Sequence, residues 1–469
     1  MQADSRKIIS ENIVADRSKL KIICVFLHRI YFGRIPYERQ YRGKKRKAMN
    51  ITELQQSYAS HPNVEGVCRL LKDNSVRHLY CGGLYASAAS LFSSVLVQRA
   101  TCPLVFILGD MEEAGYFYHD LTQILGTEQV LFFPSSFRRA IKYGQKDAAN
   151  EILRTEVLSR LQKGEEGLCV VTYPDALAEK VVSRKELGEN TLKLHAGERV
   201  DMNFVTDVLR SYGFEYVDYV YEPGQYAVRG SIIDVFSFSS EYPFRIDFFG
   251  DEVESVRTFE VETQLSKEKK ESIVIVPDLS HSLEKKGSGG MVSFLDFLPS
   301  DSLLAMRDFL WLRERIQTVH DESLTPQAIA ARESEENGAI TLEGKLIDGG
   351  EFTLRALDFR RMEFGNKPTG TPDATVSFHT TVQPIFHKNF DMVAESFREY
   401  LSRHYTIYIC SDSLKQTDRI RAIFEDRGDN ISFTAVERTL HEGFADDTLR
   451  ICVFTDHQLF DRFHKYNLK

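Results

Sequence analysis

Short, unbroken apolar runs constrain the fold of the first part of this chain more than any other feature. Pro103–Gly109 contains no polar side chain, and Val130–Phe133 and Leu168–Thr172 are nearly as apolar. Strands of this kind are typical of a sheet that is buried on both faces. Helical patterns over Ile51–Leu71 and Tyr85–Gln98, and from a capping residue at Asp110 to about Leu125, precede or separate these runs. Strand and helix in alternation predict a parallel sheet with helices on its faces.

The hydrophobic period changes near Leu192. Much of Tyr216–Phe259 alternates with period two, with turns that include Glu222–Gly224 and Gly250–Asp251. This pattern predicts an antiparallel α+β domain inserted after the parallel sheet. From about Pro384 the alternation of helix and strand returns, which predicts a last, small α/β domain.

The predicted fold class is therefore multidomain α/β. Its expected parts are a basic tail (1–48), the first part of a P-loop-like parallel-sheet domain (49–190), the inserted α+β domain (191–276), the second part of the parallel-sheet domain (277–380) and the small α/β domain (381–469). A length of 469 residues agrees with two to four domains.

Charge is distributed unevenly along the chain. Residues 1–48 hold 13 Lys/Arg and 4 Asp/Glu, whereas the remainder holds 46 and 64, so a net charge of +9 is followed by one of −18. The acidic body is a poor general nucleic-acid binder. For the basic tail three interpretations stay open: a nucleic-acid patch, a disordered tail, or sequence upstream of a true start at Met49.

Composition also argues against several classes of protein. The seven cysteines are scattered and form no C-x-x-C pair, which favours a reducing, cytoplasmic compartment. No apolar run is long enough to cross a membrane, so no membrane partner is expected. The thirteen histidines lack metal-ligand spacing, and no metal site is predicted.

A strand at His78–Cys81 leads into a segment that resembles a phosphate-binding loop. Against the pattern G-x-x-x-x-G-K-[S/T], Gly83 and Ser90 are retained, but Ala88 and Ala89 replace the second glycine and the lysine. Because the lysine charge holds the β- and γ-phosphates, this loop is expected to be degenerate. An ordinary strand–turn–helix packed through small residues is the open alternative. No catalytic residues can be assigned, and the chain is not expected to be an enzyme.

Alternation also sorts the side chains of the strand that begins near Phe244. Phe244, Ile246 and Phe248 are predicted to face the core, while Arg245 and Phe249 lie on the opposite, outer face.

An arginine beside an aromatic residue is typical of interface anchors, and Arg229 is close enough in the hairpin to join them. Alternatively, Arg245 forms a solvated ion pair with Asp234 or Asp247, and Phe249 lies under a loop.

These strands carry a resemblance to a known family. The matching positions are Glu222-x-Gly-Gln-Tyr-Ala-x-Arg-Gly230, Asp234-x-Phe236 and Pro243-x-Arg-x-Asp-Phe-Phe-x-Asp-Glu252. They resemble the second domain of bacterial transcription-repair coupling factors (Mfd), and the corresponding domain of the excision-repair protein UvrB. A weaker likeness, in the order of elements, extends over 49–190. The family's UvrB-like N-terminal module carries a degenerate phosphate loop, in agreement with Ala88 and Ala89.

The resemblance implies a function. In the family this domain binds UvrA, the damage-recognition protein, through two arginines and an aromatic residue, which correspond to Arg229, Arg245 and Phe249. The expected function is a non-catalytic module of transcription-coupled nucleotide-excision repair that recruits UvrA. Reversing the charge of Arg245 is expected to weaken that binding and to affect folding little.

The resemblance also implies what lies elsewhere in the family. RNA polymerase and duplex DNA are bound by downstream domains, and ATP and Mg²⁺ by a motor domain. The chain stops at Lys469 before these domains, so no cofactor is expected here and the chain is interpreted as a fragment. The alternative is an ATP-dependent, UvrB-like or helicase-type repair enzyme, which would need the missing glycine and lysine.

Overall fold

The computed structural model describes residues 48–136, 148–279, 290–323 and 344–462, so the predicted tail at 1–48 lies outside the described residues except for Ala48. The helices are Ile51–Ala59, Pro62–Leu70, Ala88–Arg99, Met111–Leu125, Ala148–Lys163, Pro174–Ala178, Arg184–Glu189, Met202–Ser211, Phe294–Phe297, Phe309–Ser323, Gly349–Ala356, Phe390–Ser402, Leu414–Asp426 and Asp456–Leu459.

The first sheet has seven strands, all parallel. Their spatial order is Ala374–Ser377, His78–Gly82, Arg360–Gly365, Leu303–Met306, Leu104–Ile107, Cys169–Thr172 and Val130–Phe132. The prediction of a buried parallel sheet is confirmed. Segments on both sides of the inserted unit contribute strands to it, and its central strands are fully buried as their apolar runs require.

Two predicted helices differ from the observed ones. The helical pattern over 51–71 divides at Ser60–His61, because a residue that precedes proline avoids helical geometry and Pro62 begins a new helix. The helix predicted from Tyr85 begins at Ala88. Tyr85–Ser87 instead form a loop, in which Ala86 has a positive φ of 51°.

The second sheet has six strands. Their order is Ser266–Lys270, Glu252–Phe259, Phe244–Phe249, Ile232–Val235, Gln225–Arg229 and Glu215–Tyr216. All neighbours are antiparallel except the last pair. The predicted turn at Gly250–Asp251 joins Phe249 to Glu252, with Gly250 at φ 62°. One face packs on the helix Met202–Ser211 around a separate hydrophobic core that contains Leu209 and Ile246.

The third sheet also has six strands. Their order is Met49–Asn50, Thr434–Glu437, Thr406–Ser411, Ile451–Thr455, Phe444–Asp446 and Thr380–Val382. Its first strand comes from the opposite end of the described chain and pairs in parallel with Thr434–Glu437. The Tyr58 hydroxyl donates to Asp446 over 2.8 Å, which joins the first helix to the same sheet.

Two further strand pairs complete the described structure: Leu192–His195 with Ser272–Ile275, and Val181–Val182 with Met291–Val292. None of the described helices is both long and apolar enough to cross a membrane.

Candidate functional site

The strand Phe244–Phe249 separates its side chains between two faces as alternation predicts. Phe244, Ile246 and Phe248 are buried in the core, whereas Arg245 and Phe249 lie on the outer face. A β-bulge in the neighbouring strand leaves Glu254 without an opposite residue, because Asp247 pairs with Ser255 and Phe248 with Val253. Bulges re-aim side chains at functional edges of a sheet.

Asp234 organises the outer face. It lies opposite Arg245 in the register of the two strands, and its side chain is fully buried, with 0% exposure. Arg245 donates from Nε to Oδ1 of Asp234 over 2.7 Å and from a terminal nitrogen to Oδ2 over 2.9 Å. Arg229 forms an ion pair with the same carboxylate. One buried negative charge therefore holds two guanidinium groups.

Aromatic rings lie against both guanidinium groups. The Cζ of Arg245 is 4.5 Å from the centre of the Phe259 ring, and the Cζ of Arg229 is 4.9 Å from that of Tyr219. Such stacking adds cation–π attraction to the ion pairs. The hydrogen bond from Arg245 to Asp234 raises the pKa of this arginine.

The two arginines differ in exposure. The Arg245 side chain is 14% exposed and the Arg229 side chain 35%. Arg245 thus does pair with Asp234, as one alternative held, but the pair is mostly buried rather than solvated. Reversing the charge at Arg245 would place two carboxylates together, so the structure predicts a loss of stability where the sequence alone predicted little effect on folding.

Phe249 is the most exposed large hydrophobic residue in the described chain, at 79%. It is the last residue before the Gly250–Asp251 turn, so its ring stands at the end of an inner strand of the sheet. The alternative in which it lies under a loop is wrong. A ring this exposed contributes little to folding, and contact with a partner would bury it.

The loop after His78–Gly82, which resembles a phosphate-binding loop in sequence, is closely packed. Gly83 has φ 77°, and a Cβ added there would lie 2.0 Å from the carbonyl oxygen of Phe378. Ala88, Ala89 and Ser90 are buried at the start of the following helix.

Backbone amides of this loop already donate within the chain. Tyr85 donates to Thr380 Oγ1 over 3.0 Å, and Ser87 donates to the carbonyl oxygen of Glu442 over 3.3 Å. The amides of Ala88 and Ala89 donate to carbonyl oxygens within the loop, each over 3.2 Å. A bound phosphate would have to compete for these donors.

The cleft beside this loop is acidic. Its volume is about 410 Å³, and it lies at the carboxyl ends of the parallel strands. One arginine, Arg307, and five carboxyl groups contribute to its lining: Asp110, Glu112, Glu113, Asp120 and Glu442. Arg307 is engaged by Glu113 over 2.5 Å. The electrostatic field of this lining opposes the binding of a polyphosphate.

Asp120 lies at the base of the cleft and accepts three hydrogen bonds. The donors are Ser87 Oγ (2.6 Å), Ser90 Oγ (2.9 Å) and the backbone N–H of His441 (2.7 Å). Burial nevertheless raises the pKa of this carboxyl to about 7. Through Asp120, the helix that begins at Ala88 is tied to the segment around His441. In the part of the chain that the structure describes, no cluster of three or more His, Cys, Asp or Glu side chains is arranged to hold a metal ion.

Two functional features were not evident from the sequence. The sequence indicates Asp234 only as one possible partner of Arg245, and its contact with both arginines depends on strand register. Tyr219 precedes the strands in an irregular segment, so alternation could not place its ring against Arg229.

Residues 192–281, which include the whole outer face, match the UvrB interaction domain family. The chain is similar to the transcription-repair-coupling factor of Escherichia coli strain K12, at 29% identity over 198 residues, covering 42% of this chain and 17% of that protein. It is also similar to that of Bacillus subtilis strain 168, at 21% identity over 456 residues, covering 81% and 38%. The chain thus spans between about a sixth and two fifths of the length of these relatives.

Proposed function

Since this chain corresponds to the N-terminal, UvrB-like region of transcription-repair-coupling factors, we propose that it is a UvrA-recruiting module of transcription-coupled nucleotide-excision repair. The observation that carries the proposal is the outer face of the UvrB interaction domain. There an exposed Phe249 lies on the same strand as Arg245, which shares a buried carboxylate with Arg229. Aromatic and arginine side chains in one patch are the usual anchors of a protein interface.

The module is proposed to be non-catalytic, built on a P-loop-like sheet whose phosphate loop is degenerate. Three observations support this: small buried side chains at Ala88 and Ala89, loop amides that donate within the chain, and an acidic cleft. The proposal assigns no cofactor to this region. Contacts with RNA polymerase, duplex DNA and ATP are left to other domains of the family.

Replacing Phe249 with alanine tests the binding site. Burial of a phenylalanine side chain is worth about 2 kcal/mol, so the Kd for purified UvrA should rise about 30-fold. Because the ring is exposed in the free chain, the thermal unfolding midpoint should not change. Ile385→Ala is the matched control, since Ile385 is 71% exposed and lies in the segment that follows the strand Thr380–Val382, outside the antiparallel sheet.

Isothermal titration calorimetry of UvrA with each variant gives the Kd values that distinguish the possible outcomes. Loss of affinity with Phe249→Ala alone supports the site. Equal affinity of both variants and the unchanged chain would remove Phe249 from the interface. Failure of the unchanged chain to bind UvrA would overturn the proposed function, and steady ATP hydrolysis by the chain would favour the UvrB-like enzyme instead.

A further inference from the structure

Resting on the proposed function, we infer that Asp234 is a positioning residue for partner binding. It fixes both arginines of the outer face so that they meet an acidic surface of the partner in a preset geometry. Within the described residues, Asp234 is the side chain that forms ion pairs with both guanidinium groups.

The cost of burying Asp234 is the first reason. A fully buried carboxylate on a strand loses its hydration, and only good ion pairs offset that loss. A hydrophobic residue could fill this position on the sheet and would often give a more stable fold. The buried charge therefore points to a need for oriented arginines.

The charge balance is the second reason. One carboxylate faces two guanidinium groups, so Asp234, Arg229 and Arg245 carry a net charge of +1. The neighbouring pair of Asp247 and Arg257, 2.5 Å apart, is balanced. The excess charge lies in the group that includes the more exposed Arg229, and it fits a carboxylate on the partner.

Preorganisation is the third reason. A free arginine side chain loses considerable rotamer freedom when a partner immobilises it. Arg229 is held before binding by Asp234 on one edge and by the Tyr219 ring on its face. Within the described residues its side chain donates only to Asp234, so further N–H groups stay available to a partner.

The test is a double-mutant cycle read by UvrA binding. Asp234→Asn keeps the shape and removes the charge, and it should raise the Kd about tenfold or more. In the Arg229→Ala background the same change should raise the Kd by about threefold or less, because part of its effect acts through Arg229. If the role of Asp234 is purely structural, Asp234→Asn would raise the Kd by the same factor in the unchanged chain and in the Arg229→Ala chain. That result would overturn the inference.

Two further variants make the outcome unambiguous. Asp247→Asn is the matched control, because Asp247 pairs with Arg257 on the same face, and its Kd should stay within about twofold of the unchanged chain. If Asp234→Asn does not fold, Asp234→Glu is the alternative variant, because it keeps the charge and displaces the carboxylate. A folded Asp234→Glu chain with an unchanged Kd for UvrA would overturn the inference. If Phe249→Ala weakens binding and the Asp234 variants do not, the proposed function stands and the positioning role fails.

Discussion

Replacing Asp120 with asparagine should change how the stability of this chain depends on pH. The carboxyl is buried, and its pKa in the folded chain is about 7, against an ordinary value of 3.8. A raised folded-state pKa means that the folded chain retains a proton that the unfolded chain releases. The associated stability is therefore fully present below about pH 4 and is lost as pH rises through about 7.

The magnitude follows from the same two values. At 1.36 kcal/mol per pH unit, the interval from 3.8 to about 7 corresponds to roughly 4 kcal/mol, of which roughly 3 kcal/mol falls above pH 5. Asparagine cannot ionise, and its amide can still accept from His441 and donate toward Ser87. The variant should therefore gain roughly 3 kcal/mol relative to the unchanged chain between pH 5 and pH 8.

Urea denaturation at pH 5 and pH 8 measures this difference, since the free energy of unfolding is obtained for both chains at each pH. Ser90→Ala should change the pH dependence of stability in the opposite direction, because it removes a hydrogen bond that favours the charged carboxylate. It should cost more stability at pH 8 than at pH 5. If Asp120→Asn changes the unfolding free energy equally at both pH values, the reasoning about burial is refuted.

Three other perturbations have clear expected outcomes. Gly83→Ala should destabilise the fold by more than about 2 kcal/mol in urea denaturation, because its Cβ would meet the Phe378 carbonyl and its φ is 77°; a smaller loss would contradict the close approach. Arg245→Glu should lower the unfolding free energy by about 3 kcal/mol, because it faces the buried Asp234; an unchanged denaturation curve would argue against the pair. Ala89→Lys should not create ATP hydrolysis, measured as phosphate release, since the adjacent cleft stays acidic; a gain of activity would show that the lysine alone was missing.

Local patterns predicted much of the architecture. The apolar runs placed the buried parallel strands, and alternation placed Arg245 and Phe249 on the outer face, because both patterns depend only on neighbours along the chain. The turn at Gly250–Asp251 followed from residue types that favour tight hairpins. What alternation could not predict was the bulge at Glu254, which shifts the period within one strand.

Long-range pairing accounts for most of what the sequence did not reveal. Strand register places Asp234 opposite Arg245 and within reach of Arg229, and nothing in the spacing of these residues specifies that register. The segment around Glu442 meets the Gly83 loop from more than 300 residues away. A degenerate loop was predicted from its missing lysine, but the hydrogen bond from the Ser87 amide depends on that distant segment.

The pairing of Met49 with Val436 has a consequence for how this protein is made. The two residues are 387 positions apart (436 minus 49), and their strands are neighbours in the third sheet. At about 5 to 20 residues per second, a ribosome needs roughly 20 to 80 s to synthesise that interval. During this time the helix Ile51–Ala59 lacks the Asp446 partner of Tyr58, and its apolar face has only part of its final packing. The third sheet therefore cannot close until Thr434–Glu437 has been synthesised, and the packing of this helix stays incomplete until then.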